Sequence, residues 1–371
     1  MKNLLLYERA GFAQNGAEDG MAQSGRLSVS LRSEWITYES YLSRLSTFTD
    51  VEMAIYHQQT WLSSIRDSFD ASIIAIETYG EDNQRIAVTP FMMRNKGPFC
   101  LLGSPLSGMY TQFAGPLFIN GLDIQSRKAA LISQHKLSAH RAHYVEWGVR
   151  GGEDESEVVG RTLESIGHDY SARRTLVIDL SKGEMEVWNG FQTRARNMCR
   201  KAEKFGVVVC KATPDKVWID NYYDMLRTTF ERQGRRVSHP LSFFQRLITL
   251  TAEGRLLCLT ADVNGRNVAN AIFLIDRSRM LYLSGTANDE GMKCAANSLI
   301  QWEAMRSAIC SGITEYDMGG LGVTSIDKFK LSFGGREINH HRWVYRSRLF
   351  KLAEPLALWA AHRGIIRISG S

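Results

Sequence analysis

Three consecutive strand-like segments in the second half of the chain constrain its fold more than any other feature. They are LLCLTADV (256–263), NVANAIFLID (267–276) and RMLYLSGTA (279–287). The pair Asn264-Gly265 between the first two is a favoured hairpin turn. A helical pattern over 295–312 and another strand-like run, 314–320, follow. This order predicts an α/β fold with mixed α+β sheets covered by helices.

The first half of the chain repeats this order of elements. A helical pattern (51–69) precedes strand-like runs at 71–79 and 85–93, and a helix near 124–139 precedes a strand at 143–149. The intervening segments GPFCLLGSP and FAGPLF are interpreted as loops. A chain of 371 residues is long enough for two domains. We therefore predict two copies of one mixed α/β unit, joined near residues 180–190.

Composition narrows the class of protein. The hydrophobic fraction of 44% and the charged fraction of 23% are typical of a globular protein. The net charge of +6 favours acidic partners such as phosphates, nucleic acid or lipid headgroups without selecting among them. None of the six cysteines forms a C-x-x-C motif or a pair at metal-ligand spacing from a histidine. The sequence therefore predicts neither a metal site nor a disulfide framework, and we predict no DNA partner.

The first residues argue for a cytoplasmic protein. The start MKNLLLYERAGF has only a short apolar run before Glu8, which is too short for a signal peptide. We also find no uninterrupted apolar segment long enough to cross a bilayer. Residues 10–30 are rich in Gly, Ala, Gln and Ser without periodicity, so we interpret 1–32 as a flexible leader.

A basic helix is predicted at the junction of the two halves, over FQTRARNMCRKAEKF (191–205). Its expected apolar stripe consists of Phe191, Ala195, Met198, Ala202 and Phe205. Arg196, Arg200 and Lys204 are four residues apart and lie on another face. Two interpretations remain open: a solvated charged face, or a helix that contacts an anionic substrate.

The segment YDMGGLGVTSIDKFKLSFGG (316–335) has the features of a site. Two glycine pairs indicate places where the backbone turns with positive φ or approaches another group closely. Between them lies the lysine Lys330, next to Phe329. A lysine among phenylalanines is not a typical solvated lysine.

Taken together, these segments resemble the Fem-type branch of the GNAT superfamily. The branch comprises peptidoglycan-bridge aminoacyltransferases and related acyltransferases of polysaccharide gene clusters. The resemblance is carried by the basic helix, ERQGRR, the hairpin around ADVNGRNVANAIFLI, YLSGTA and DKFKLSFGG, in that order. It is clearest over 185–347 and weaker over 50–150. It implies two tandem GNAT-like domains, 33–184 and 185–371, and transfer of an acyl or aminoacyl group to an amine.

The resemblance also implies where the chemistry takes place. In Fem-type enzymes a phenylalanine-lysine pair lies in the active cleft, and its match here is Phe329-Lys330. A positioned cation can stabilise the tetrahedral oxyanion of aminolysis. Asp317 is a candidate acceptor for the amine proton and Tyr316 a candidate donor to the leaving group. The alternatives are a turn-forming role for Asp317 and a surface position for Lys330.

The sequence leaves the identity of the acyl donor open, because its candidate diphosphate-binding segment departs from the usual pattern. Users of acetyl-coenzyme A cradle the diphosphate with a Q/R-x-x-G-x-G/A loop at the start of a helix. The equivalent segment here, NDEGMKCAANSL (288–299), has only Gly291. The helix start near Ser298 can still bind an anion, so acyl-CoA remains a candidate donor. Aminoacyl-tRNA is the alternative donor.

Three further segments carry weaker predictions. Arg236, in RRVSHP (235–240), is a candidate to face the acceptor, although a plain loop is the alternative. His340 and His341 are expected to pack or face solvent, because nothing in the sequence pairs them with a carboxylate. The apolar tail 349–368 either packs on the body or contacts a membrane surface.

The resulting functional prediction is an N-acyltransferase acting on an amine of a cell-envelope or polysaccharide precursor. Aminoacyl transfer from charged tRNA is the alternative within the same class. A non-catalytic scaffold that keeps the fold is the alternative from another class.

Overall fold

The computed structural model describes residues 31–48, 53–151, 154–232, 234 and 236–362. The predicted leader falls almost wholly on residues 1–30, outside the described residues. Within the described part, helices and strands alternate along the whole chain, as the mixed α/β prediction requires.

The first half begins with strand β1, which pairs antiparallel with β2. Its strands are β1 (Arg32–Thr37), β2 (Ser72–Tyr79), β3 (Arg85–Lys96), β4 (Phe99–Ser104), β5 (Leu117–Phe118), β6 (Tyr144–Arg150) and β7 (Asp169–Asp179). Its helices are α1 (Tyr38–Arg44), α2 (Gln59–Ser68), α3 (Ile124–Arg141) and α4 (Asp154–Ser165), with 3₁₀ turns at Leu45–Phe48 and Ile55–His57.

The second half contains the predicted three-stranded meander. Its strands are β8 (Val207–Ala212), β9 (Leu256–Val263), β10 (Arg266–Asp276), β11 (Arg279–Ala287), β12 (Glu315–Gly320) and β13 (Arg336–Arg346). Its helices are α5 (Glu184–Gly190), α6 (Thr193–Lys204), α7 (Lys216–Glu231), α8 (Leu241–Leu247), α9 (Thr249–Ala252), α10 (Asp289–Lys293), α11 (Ala296–Cys310), α12 (Thr324–Leu331) and α13 (Arg348–His362).

The strands of both halves form one continuous mixed sheet. Across the described residues its order is β1-β2-β3-β4-β6-β13-β7-β12-β11-β10-β9-β8, and β5 pairs with β3. The late strand β13 lies between β6 and β7 and is antiparallel to both. Strand β13 therefore bridges strands that precede it in the chain by more than a hundred residues, and it crosses the predicted division at residue 184. That division stays a prediction.

Several local predictions agree with the structure, and others are wrong. The Asn264-Gly265 turn forms with positive φ at both residues, 50° and 74°. The segments taken for loops instead contain β4 and β5, because β4 pairs in parallel with β6, a contact distant in sequence. Helix α4 was not predicted. These errors arise where pairing and packing between distant segments decide the local structure.

Helices cover both faces of the sheet and create three apolar cores. One core lies under α2, α7 and α8 and includes Trp61 and Phe243. A second lies under α6 and α11, and a third lies under α3 and α4 around Trp147. Helix α11 is buried on more than one face, because it packs against both the sheet and α6. The two larger cores lie on opposite faces of the same strands.

The basic helix forms as α6, but its buried stripe differs from the prediction. Ala195, Cys199 and Ala202 are buried, whereas Phe205 is exposed and Met198 is only half-buried. The Cys199 thiol donates to the Ser298 carbonyl oxygen, 3.4 Å away on α11. The position of α11 therefore sets the rotation of α6 about its own axis.

We predict that replacing Gly160 by alanine destabilises the protein. An added Cβ would lie 2.5 Å from Cζ2 of the buried Trp343 ring, so α4 would be pushed away from β13. The expected loss in free energy of unfolding is about 1–3 kcal/mol, measured by chemical denaturation. Gly190→Ala is the control, because an added Cβ there meets nothing within 4 Å. A Gly160→Ala protein as stable as the control would contradict the packing of α4 on β13.

Candidate functional site

The candidate site lies where β11 and β12 separate. These parallel strands pair only from Arg279/Glu315 to Leu281/Asp317 in the described chain. Strand β11 then carries an irregularity in its pairing with β10 at Leu283 and continues to Ala287. The backbones of the two strands therefore face a gap in the sheet, with Gly319 and Gly320 on its β12 side.

Helix α12 brings Lys330 to this gap. The side chain is only 8% exposed, and its Nζ donates to the Gly320 carbonyl oxygen at 2.7 Å. The start of the helix is fixed by Asp327, whose carboxylate accepts from the N–H groups of Gly322 and Val323. Burial lowers the pKa of Lys330 from 10.5 to about 8, although Asp317 and Asp327 act against this shift. The prediction of a buried rather than a solvated lysine is supported by this geometry.

Asp317 lies on β12 and is also buried. Its Oδ1 accepts from the Thr175 hydroxyl and from the Gly319 N–H, the latter at 2.7 Å. Its Oδ2 lies 3.9 Å from Nε2 of His340. Burial would raise the pKa of Asp317, but the contacts with His340, Thr175 and Gly319 outweigh it and lower the pKa below 3.8. Oδ1 therefore makes the turn-forming bond expected from the sequence, whereas Oδ2 faces His340.

His340 was missed as a site residue by sequence reasoning. The expectation that no carboxylate accompanies it is wrong, because β13 inserts beside β7 and carries His340 to Asp317. Neither ring nitrogen of His340 has a hydrogen-bond partner among the described residues, and the ring lies 5.2 Å from that of Phe113. Nothing in the spacing of the sequence could have predicted this, since the contact depends on the strand order.

Tyr316 and Phe329 point away from the gap. Successive residues of a strand face opposite sides of the sheet, so Tyr316 lies on the side of α11, opposite to Asp317. Its buried hydroxyl donates to Oε1 of Gln301 at 2.6 Å, and burial raises the pKa of Tyr316 well above 10. The Phe329 ring packs against the Phe333 ring, 5.2 Å away.

The cations of α6 have different environments. Arg196 donates to the carbonyl oxygens of Asn189 and Phe191, so it holds the end of α5. The Arg200 guanidinium lies 5.7 Å from the centre of the Trp188 ring. Lys204 is exposed in the last turn. Helix α6 begins next to α12, since the Gln192 N–H donates to the Ser332 carbonyl oxygen at 2.9 Å.

The other two predicted substrate-binding residues, Arg236 and Ser298, lie further along the second half. Arg236 is exposed in the connection between α7 and α8. Ser298 is buried in the first turn of α11, and its N–H donates to the Ala295 carbonyl oxygen at 2.9 Å. Gly291 is required for packing, because an added Cβ would lie 2.3 Å from the Val268 carbonyl oxygen.

A separate cavity, of about 440 Å³, lies at the other end of β11 and β12. It is lined by residues of both halves, among them His57, Phe113, Arg127, Arg150, Arg279 and Glu315. Lys330 and Asp317 do not line it. Among the described residues there is no group of three or more His, Cys, Asp or Glu side chains arranged to hold a metal ion. None of the described helices is long and apolar enough to span a membrane.

The sequence matches a known domain family over the region of this site. Residues 190–331 match the family described as acetyltransferase (GNAT) domain. No curated protein matches the sequence significantly. This match supports the predicted GNAT-type acyltransferase assignment for residues 190–331.

Solved structures share the fold of nearly the whole chain. The crystal structure of FemX has a TM-score of 0.65 at 15% identity, covering 86% of this chain and 99% of FemX. A tandem GNAT protein from the clavulanic acid biosynthesis pathway has a TM-score of 0.54 at 9% identity, covering 85% of this chain and 98% of that protein. L-PGS from Bacillus licheniformis has a TM-score of 0.54 at 11% identity, covering 88% of this chain and 97% of L-PGS. The Fem-like, tandem GNAT fold predicted from the sequence is confirmed.

We predict that Thr175→Val destabilises the protein by about 1–3 kcal/mol. Thr175 is fully buried and its hydroxyl donates to Asp317, so valine leaves one carboxylate oxygen short of a donor. Thr286→Val is the matched control, since Thr286 is equally buried but its hydroxyl has no partner among the described residues. This control should be unchanged or more stable. Equal effects of the two substitutions on denaturant unfolding would show that the Thr175–Asp317 bond is unimportant.

Proposed function

We propose that this protein transfers an acyl group to an amine on a cell-envelope or polysaccharide precursor, and that transfer takes place at the gap between β11 and β12. The observation that carries the proposal is the buried amine of Lys330, held at the gap beside Asp317. A buried ammonium with a lowered pKa is costly, and such groups cluster at functional sites.

In the proposed reaction the acceptor amine attacks the carbonyl carbon of the acyl donor. The tetrahedral intermediate carries a negative oxygen, which the Lys330 ammonium stabilises by a charge-assisted hydrogen bond. The amine proton passes to Oδ2 of Asp317 or to a ring nitrogen of His340. The bond from the acyl carbon to the donor's sulfur or oxygen then breaks, and the leaving atom departs as an anion that takes up a proton.

The proposal for Tyr316 as the donor of that last proton has a structural requirement. Its hydroxyl must leave Gln301, where it is bonded on the far side of the strand. Because the pKa of Tyr316 lies well above 10, the phenol holds its proton strongly. Phe329 supports the site by packing against Phe333, which fixes the end of α12.

For the donor we propose acyl-CoA, bound with its extended amide-containing arm in the gap. Parted strands present N–H and C=O groups that can pair with an extended ligand. The start of α11 near Ser298 would face the anionic end of the donor. Aminoacyl-tRNA is the alternative donor. The exposed cations Lys204 and Arg236, with Arg200, would bind anionic groups of either partner, whereas Arg196 would first have to release backbone carbonyls.

Two further expectations stand as proposals. The boundary at residue 184 would separate two GNAT-like units that share one sheet through β13. We also propose a cytoplasmic location, where activated acyl donors are available.

We predict that Lys330→Met lowers transfer at least about 100-fold, because it removes the cation that stabilises the oxyanion. Wild-type transfer should also fall as pH rises through about 8, where Lys330 loses its proton. Steady-state rates over a pH series measure both effects. Lys328→Met, which removes an exposed lysine of the same helix, should keep full activity. Full transfer by Lys330→Met would remove the lysine assignment.

The same variant makes a prediction about stability. The folded state lowers the Lys330 pKa from 10.5 to about 8, so below about 8 the buried charge weakens folding, and that penalty disappears as pH rises towards 10.5. Lys330→Met should therefore unfold with a higher free energy than wild type near neutral pH. This advantage should shrink in alkaline solution. An advantage that does not change with pH would show that folding does not lower the pKa of Lys330.

The donor can be identified by binding. A rise in melting temperature with acyl-CoA thioesters would support the proposed donor. Binding of charged tRNA that weakens steeply with salt would favour aminoacyl transfer instead. No shift with either, together with tight binding to another protein, would indicate a non-catalytic scaffold.

A further inference from the structure

The outward face of α13 is apolar. Leu349, Leu352 and Leu356 are 66%, 72% and 69% exposed, and Trp359 is 53% exposed. Residues separated by three, four and three positions lie on one face of a helix. Single exposed apolar residues are ordinary, but four large ones in one stripe mark a contact surface.

This stripe is not the face by which α13 docks on the body of the protein. Phe350 makes that contact, with its ring 5.3 Å from Phe99 and 5.4 Å from Tyr144. Glu354, one turn further on, accepts from Nε of Arg346 at 2.9 Å. Helix α13 is therefore already held by its inner face, and the leucine stripe points outward.

Positive charge accompanies the stripe. From residue 348 to residue 371 the sequence has one acidic residue, Glu354, which Arg346 engages. The basic residues of the same segment are Arg348, Lys351, Arg363 and Arg367. Isoleucines at 365, 366 and 368 extend the apolar composition beyond the described residues. An apolar face with basic flanks and a tryptophan is typical of helices that lie in the surface of an anionic membrane.

A second copy of the chain fits this face less well. Four side chains expose a few hundred Å², below the roughly 800 Å² per partner of a stable interface. A two-fold contact would also bring two copies of the basic residues Arg348 and Lys351 into one interface. An anionic membrane has neither difficulty, because its apolar layer is not limited in area and its headgroups are opposite in charge to Arg348 and Lys351.

We infer that α13 binds the surface of anionic lipid membranes, with Leu349, Leu352, Leu356 and Trp359 inserted among the lipids and Lys351 near the headgroups. This inference does not depend on the proposed transfer reaction. Binding would hold the rest of the chain at a lipid surface without a spanning segment.

The test is flotation of the full-length protein with vesicles of phosphatidylcholine, with or without phosphatidylglycerol. Wild type should float with the anionic vesicles and be released by high salt. Leu352→Gln/Leu356→Gln should weaken binding at least about tenfold, since two buried leucines are lost while glutamine keeps helix propensity. Val208→Gln/Val217→Gln is the matched control, because both valines are exposed apolar residues on other elements. Lys351→Glu should weaken binding to the anionic vesicles.

Three results would overturn the inference. One is a wild-type protein that does not float with phosphatidylglycerol vesicles. Another is a leucine double variant that binds as well as the valine double variant. The third is a wild-type dimer that the leucine substitutions convert to a monomer, which would assign the stripe to a second copy. Thermal unfolding followed by circular dichroism checks that each variant is folded.

Discussion

The insertion of β13 between β6 and β7 is the contact on which the rest of the structure depends. Its antiparallel ladders on both sides join the two halves into one sheet. They also fix the position of His340 beside Asp317, and they set Trp343 against α4. Without this strand, β6 and β7 would have no common neighbour, and the site would lose one of its three buried ionisable groups.

The site itself combines groups that are unfavourable to bury. Lys330, Asp317 and His340 are all buried, and Asp317 interacts with each of the other two. Asp317 also accepts hydrogen bonds from Thr175 and Gly319. Desolvation weakens the charged form of Lys330, while the carboxylate nearby partly restores it. Stability gained in the three apolar cores offsets this cost. Such an arrangement is expected where a charge must act at one moment of a reaction and must not be dissipated by water.

The sequence predicted what local pattern determines. The meander from β9 to β11 and its Asn264-Gly265 turn follow from strand patterning and turn chemistry. Lys330 was recognised as unusual because of its neighbours in the chain. His340 and Thr175 were not, since their contacts with Asp317 arise from strand order, which spacing does not encode. The buried stripe of α6 was displaced for a similar reason: the position of α11 selects Cys199 rather than Phe205.

The late position of β13 in the chain also bears on synthesis. While the ribosome is still making residues 180–335, β6 and β7 are complete, but β13, which lies between them in the folded sheet, is not. Each then offers an unpaired edge to any passing strand, and such edges promote aggregation. Closure of the sheet must wait for contacts between residues far apart in sequence, which slows folding. A nascent chain of this kind therefore exposes these edges until β13 emerges.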